Sequence, residues 1–248
     1  ISKRSPTQLQ RIKIKIRMSG RVGSITTDII ADGLVFNMDA ANRASTIPSS
    51  ATTKAFNTIN TAISGAFSAD AEYDSSTLLS PTFALDGTDD FIDVTKSSIF
   101  AFGTGGFTIS MWIRGTNFNT APDLVDFREN QSESTIAFYV NSNSRLEVYI
   151  NGSTIIGGSG TTLSQDTIYN VVCTRNESTL STHINGASAD QSVSNSTNFN
   201  LTRSPLIGRR FNSTSQYWNG NLGPIQMYNR GLSATEVLHN YNALRGRF

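Results

Sequence analysis

The chain has 248 residues, 38% of them hydrophobic, with 20 Lys and Arg against 19 Asp and Glu, a formal net charge of +1 and a mean hydropathy of −0.22. That composition supports a packed core in one large domain or two small ones and excludes a disordered protein. It also holds no apolar run of the roughly eighteen residues a membrane helix needs, and its single cysteine, Cys173, makes no intrachain disulfide and has only His183 and His239 as partners for a nucleophile or a zinc site.

The charge is unevenly divided. Lys3, Arg4, Arg11, Lys13, Lys15, Arg17 and Arg21 fall within residues 1–23, where there is no acid, so this segment stands at +7 and the rest at −6. Within it RIKIKIRM, residues 11–18, alternates cations (Arg11, Lys13, Lys15, Arg17) with apolar residues (Ile12, Ile14, Ile16, Met18). As a strand it would have one apolar edge and one positive edge, so it is expected to pair with a sheet and to meet an acidic partner. Phosphate binding has no use for the apolar edge, which argues against nucleic acid. The basic start also lacks the apolar centre of a secretory signal. Residues 1–30 are therefore read as an extended basic arm, and 31–248 as the folded domain.

From about Gly33 onward, short alternating runs separated by turn residues predict an all-β sandwich. Residues 43–80, rich in Ser, Thr and Ala and without a clear period, are expected to form a long loop over the sandwich edge. In DGTDD (86–90) the acids surround Gly87 as in a strand-to-strand turn whose carboxylates cap backbone groups. FTISMWIR (107–114) places Phe107, Ile109, Met111 and Ile113 on one face and Thr108, Ser110, Trp112 and Arg114 on the other, a half-buried strand with an aromatic on its outer side. Residues 134–153 and 167–187 each read as two strands joined by a turn, the first turning at residues 141–144 and the second at 176–178.

QYWNGN (216–221) sets Tyr217, Trp218 and Asn219 near Arg209 and Arg210 in the sequence. Such residues stack on sugars and bind their hydroxyls, but they are equally typical of a covered sheet edge or a protein interface, which fits better. The last element is helical. Ser233 and Glu236 form a capping box, Leu232 and Val237 a staple, and Val237, Tyr241 and Leu244 share the face expected to pack on the sandwich, with Gly246 as the stop.

GLVFNMDAANRAS (33–45), FALDGTDDFIDV (83–94) with FTISMWIR, TIYNVVCTRNESTLSTHINGA (167–187) and the closing run from Leu206 to Tyr241 together resemble the concanavalin A-like lectin/glucanase superfamily, in the laminin-G-like form found in virion structural proteins of tailed marine bacteriophages. The resemblance implies a two-sheet antiparallel jelly-roll sandwich, and it implies calcium at Asp86, Asp89 and Asp90. Glucanases of this superfamily carry Glu-x-Asp-x-Glu on one strand. No such run exists here: Asp89 and Asp90 are adjacent, Asp123 and Asp126 flank an apolar pair, and Glu147 stands alone, so no hydrolytic activity is expected. The expectation is a non-enzymatic virion protein on the particle exterior, a capsid decoration whose arm docks on a neighbouring shell protein or on another copy of itself. The alternative is a host-glycan-binding module of a tail or fibre.

Overall fold

The computed structural model describes residues 28–46, 53–76, 78, 80–128, 135–199 and 203–248. The expected arm strand at 11–18 lies outside them. Residues 28–30 are tied to the domain: the Asp28 carbonyl meets His239 Nε2 at 2.9 Å, and Ile30 N–H donates to Asn240 Oδ1 at 2.8 Å.

Among the described residues, sixteen strands follow in chain order: β1 (Leu34–Met38), β2 (Lys54–Phe56), β3 (Ser64–Phe67), β4 (Glu72–Asp74), β5 (Thr82–Asp86), β6 (Ile92–Val94), β7 (Phe107–Asn117), β8 (Asp123–Asp126), β9 (Ile136–Val140), β10 (Leu146–Ile150), β11 (Ser153–Ile156), β12 (Ile168–Asn176), β13 (Thr179–Ile184), β14 (Gln191–Ser194), β15 (Leu206–Ile207) and β16 (Asn219–Tyr228). One helix, α1 (Ala234–Leu244), comes last, followed by a short 3-10 turn. The strands form two antiparallel sheets of eight, the first ordered β14-β13-β12-β7-β16-β5-β4 with β1 also on β16, the second β11-β10-β9-β8-β15-β6-β3-β2.

This is the two-sheet jelly roll with a short C-terminal helix that the alternation and the resemblance predicted. The core lies between the sheets, where Phe107, Ile109, Met111 and Ile113 of β7 face Phe138, Val140, Leu146 and Val148 of the second sheet. Cys173 is buried in it, and burial raises its thiol pKa, so it is a packing residue.

Strand β16 makes the first sheet continuous. It pairs with β5 through Asn219–Leu222 and with β1 through Ile225–Tyr228, both on the side away from β7. Gly223 and Pro224 occupy the gap between those two ladders, where a residue without an N–H forfeits no cross-strand bond.

The expectation of a long loop over residues 43–80 is corrected, because β2, β3 and β4 lie in it. These strands have only three or four residues each, so no period was visible. Gly65 of β3 serves close approach: a Cβ there would lie 2.3 Å from Ile92 Cγ2. A second correction concerns β7, expected to be half-buried: Thr108, Ser110 and Trp112 face outward as expected but are buried, Trp112 beneath other rings. Its ring stacks on Tyr241 at 5.6 Å and on Phe248 at 4.7 Å, so the helix and the turn after it cover this part of the sheet.

Candidate functional site

Helix α1 roofs the middle of the first sheet's outer face through Val172, Tyr228, Leu232 and Val237. Beyond that roof the outward residues of β4, β5, β16 and the far end of β7 form an open polar groove. One recess, about 250 Å³, is walled by Asp70, Glu72, Asp86 and Asp90. It shares Glu72, Ala84 and Leu85 with an adjoining one bounded by Asp74, Ser76, Arg114, Thr116, Gly220 and Asn221.

The strands set these side chains by simple alternation. Pairing Glu72↔Ala84, Tyr73↔Phe83 and Asp74↔Thr82 sends Tyr73 toward the core with Phe83, and Glu72 and Asp74 outward. Across β16, Asn221 Nδ2 donates to Asp74 Oδ2 at 3.1 Å and to Thr82 Oγ1 at 3.0 Å. Arg114 pairs with Asp166 at 2.6 Å, and the Thr116 hydroxyl donates to Asn219 Oδ1 at 2.6 Å. Gly220, at φ +135°, lets β16 pass close to β7, since a Cβ there would meet the Arg114 carbonyl oxygen at 2.0 Å.

At the acidic end, the DGTDD turn does what its residues predicted: Thr88 N–H donates to Asp86 Oδ1 at 2.7 Å and Asp86 N–H to Asp90 Oδ2 at 3.0 Å. Asp90 is buried, and burial, with Asp86 and Asp70 adding repulsion, pushes its carboxyl up to about 6. The exposed carboxylates that converge are Asp70, Asp86 and Asp89, with oxygens within 4.8 Å of one another. Asp90 thus caps backbone where a ligand role was implied, and Asp70, on the loop before β4, takes its place. Three hard oxygen donors at this spacing suit calcium.

The Tyr217/Trp218 pair does not form an exposed platform. Trp218 is fully buried and packs on Phe118 with centroids 5.8 Å apart. Tyr217 points away from it and sandwiches Arg209 against Phe91, the guanidinium lying 5.3 Å and 4.6 Å from the two rings. Arg210 donates to Gln216 Oε1 at 2.9 Å. Of the five residues only Asn219 reaches the groove, through Thr116; Trp218 turns inward because successive side chains of an extended segment point to opposite faces, and Tyr217 lies before β16 begins, bridged to Arg209.

The other carboxylates weighed in the sequence, Asp123, Asp126 and Glu147, are engaged. Asp126 accepts from Arg128 Nε at 2.8 Å, Arg128 Nη2 at 2.7 Å and Phe211 N–H at 2.7 Å, and Arg128 also donates to Asp123; all three charged groups are buried. Burial, then the neighbouring Asp126 charge, raises the Asp123 pKa. Glu147 accepts from Tyr139 and from Asn141 Nδ2.

A sequence profile described as that of the concanavalin A-like lectin/glucanases superfamily matches residues 86–238. The chain belongs to this superfamily. Its fold is shared by the binding domain of Paraclostridial Mosquitocidal Protein 1, with a TM-score of 0.66 at 20% identity over 85% of this chain and 52% of that one. It is also similar to domain 4 of AbnA, a GH43 extracellular arabinanase from Geobacillus stearothermophilus in complex with arabinotriose (TM-score 0.62, 12% identity, 84% of this chain and 98% of that one). A third likeness is to Trypanosoma rangeli sialidase in complex with sialic acid (TM-score 0.60, 14% identity, 87% of this chain and 33% of that one). The chain therefore spans about half of the toxin domain and a third of the sialidase, and identities this low carry the fold alone. No curated protein matches in sequence.

Within this lectin-like jelly roll, sequence reasoning missed Asp70, Glu72, Asp74, Arg114 and Asn221 as site residues. The one available signal was weak: Arg114 and Asn221 are polar residues at outward positions of their strands, as are Thr108, Ser110 and Asn219, so position alone did not single them out.

Proposed function

We propose that the protein is a non-catalytic glycan-binding domain that holds its ligand in the polar groove over β4, β5, β16 and β7. The observation that carries this is the groove itself, an open stretch on the outer face of those strands, lined by carboxylates, Arg114, Thr116 and Asn221, groups that hydrogen-bond sugar hydroxyls. The binding of arabinotriose by domain 4 of the arabinanase, a domain of the same fold, supports it. Calcium on Asp70, Asp86 and Asp89 belongs to the same proposal: at the end of the groove it would order the carboxylates and accept ligand oxygens.

The test is a glycan array probed with the full chain, with calcium and with chelator, alongside Arg114→Ala and Thr116→Val. Binding that falls at least ten-fold in both folded variants is expected. An array with no binder, or variants that bind like the parent, overturns the proposal.

The charge division favours a second reading that is compatible with the first: a domain displayed on the exterior of a virus particle and anchored through its basic residues 1–23. Chain lacking those residues is then expected to stay folded and lose association with particles. Retained association would sink this reading.

A further inference from the structure

A sheet edge presents backbone donors and acceptors that a further strand can pair with, and side chains decide which strand it accepts. Among the described residues the first sheet ends at β14, β4 and β1, and the second at β11 and β2. The outer side of β1 is taken, because Asn37 N–H donates to Asn57 Oδ1 at 2.9 Å, Thr58 N–H to the Asn37 carbonyl at 2.9 Å and Asn57 Nδ2 to the Val35 carbonyl at 3.0 Å. Strands β14 (QSVS) and β11 (STII) carry no charge, and β2 (KAF) carries Lys54.

Strand β4 differs from the others. It reads Glu72-Tyr73-Asp74: an exposed acid outward, a ring inward, and a second outward acid that is buried and bonded to Asn221. On the inward side Tyr73 and Phe67 are only half-buried against the core, and on the outward side Asp70, Asp86 and Asp89 extend the negative field. This is the period-two complement of Lys-Ile-Lys.

We infer that β4 is the docking edge for the chain's own residues 11–18, RIKIKIRM, which add to it as a further strand. The backbone pairs with β4, Ile12, Ile14 and Ile16 cover Tyr73 and Phe67, and Arg11, Lys13, Lys15 and Arg17 lie over the carboxylates, where they compete with calcium and a groove ligand for the same oxygens. One alternation in the sequence thereby meets both faces of one edge, and the +7 segment meets the acid that gives the rest its −6. Reach allows it: residues 19–27 extend to about 30 Å, comparable with the run of β16 from Tyr228 to Asn219.

The experiment uses the full chain carrying Lys15→Cys with Glu72→Cys. Cys173 is buried and its thiol pKa is raised, so it does not compete. Mild oxidation is expected to form the disulfide at least ten-fold more than in a Lys15→Cys, Ser192→Cys control on the β14 edge, and 1 M salt is expected to suppress it. A bond within one chain or between two copies, distinguished on a non-reducing gel, supports the pairing equally. No bond, or equal yield at β14, overturns it. Hydrogen exchange is a second measurement: protection of the β4 amides that face away from β5 is expected to fall at least ten-fold in Lys13→Glu/Lys15→Glu chain, and unchanged protection there also overturns the inference.

Discussion

Trp112 and Phe248 stack with ring centroids 4.7 Å apart and planes 22° from parallel, which joins the outer face of β7 to the turn that follows α1. Tyr241 adds a second ring on the same indole. Truncation here removes contacts to two elements at once. Trp112→Ala is expected to cost about 3–5 kcal/mol in denaturant unfolding, at the level of other buried aromatic truncations. A cost below about 1 kcal/mol would mean that the stack does not hold the helix to the sheet.

Arg128 is the sole described cation within bonding distance of the two buried carboxylates Asp123 and Asp126. Arg128→Met strands both, and a loss of about 3–5 kcal/mol is expected at neutral pH. Because protonation relieves stranded carboxylates, the variant is expected to recover part of that loss at pH 4. If Arg128→Met, Asp123→Leu and Asp126→Leu combined are no more stable than Arg128→Met alone, the cost does not come from stranded charge.

The start of α1 carries its own pH signature. Glu236 accepts two bonds from Arg230, at 2.7 and 3.1 Å, and one from Ser233 N–H at 2.9 Å, and these hold its carboxyl down to about 2 from an ordinary 4.5. A depressed carboxyl contributes stability above its unfolded value that is lost as pH falls through the folded one. Glu236→Gln is therefore expected to flatten the stability profile between pH 4.5 and 2. Ser233→Ala, which removes the other half of the capping box, is expected to cost about 1 kcal/mol by thermal or chemical denaturation.

Calcium gives a thermal readout. With the ion at about a hundred times its Kd, melting is expected to reflect roughly 2.7 kcal/mol of added stability, removed by chelator. Asp70→Asn and Asp89→Asn are each expected to abolish most of the shift. No shift in the parent would remove calcium from the site, and a shift indifferent to Asp70 would place the ion elsewhere.

Local pattern carried much of this fold into view from the sequence. The alternation of FTISMWIR, the two paired runs at 134–153 and 167–187, and the Ser233/Glu236 capping box with its staple all appear as read. Their signals lie within a few residues of one another, so neighbouring side chains suffice to specify them.

What tertiary structure decided is of another kind. Strands β2, β3 and β4 exist because distant partners β6 and β5 hold them in place, and three or four residues are too few to establish a period by themselves. Asp70 joins Asp86 and Asp89 only once β4 lies beside β5, while Trp218, beside Tyr217 and Asn219 in the chain, turns into the core. A periodicity tells which residues share a face. Whether that face meets water, a helix or a ligand depends on which elements pack over it, and those contacts join parts of the chain too far apart for any local pattern to record.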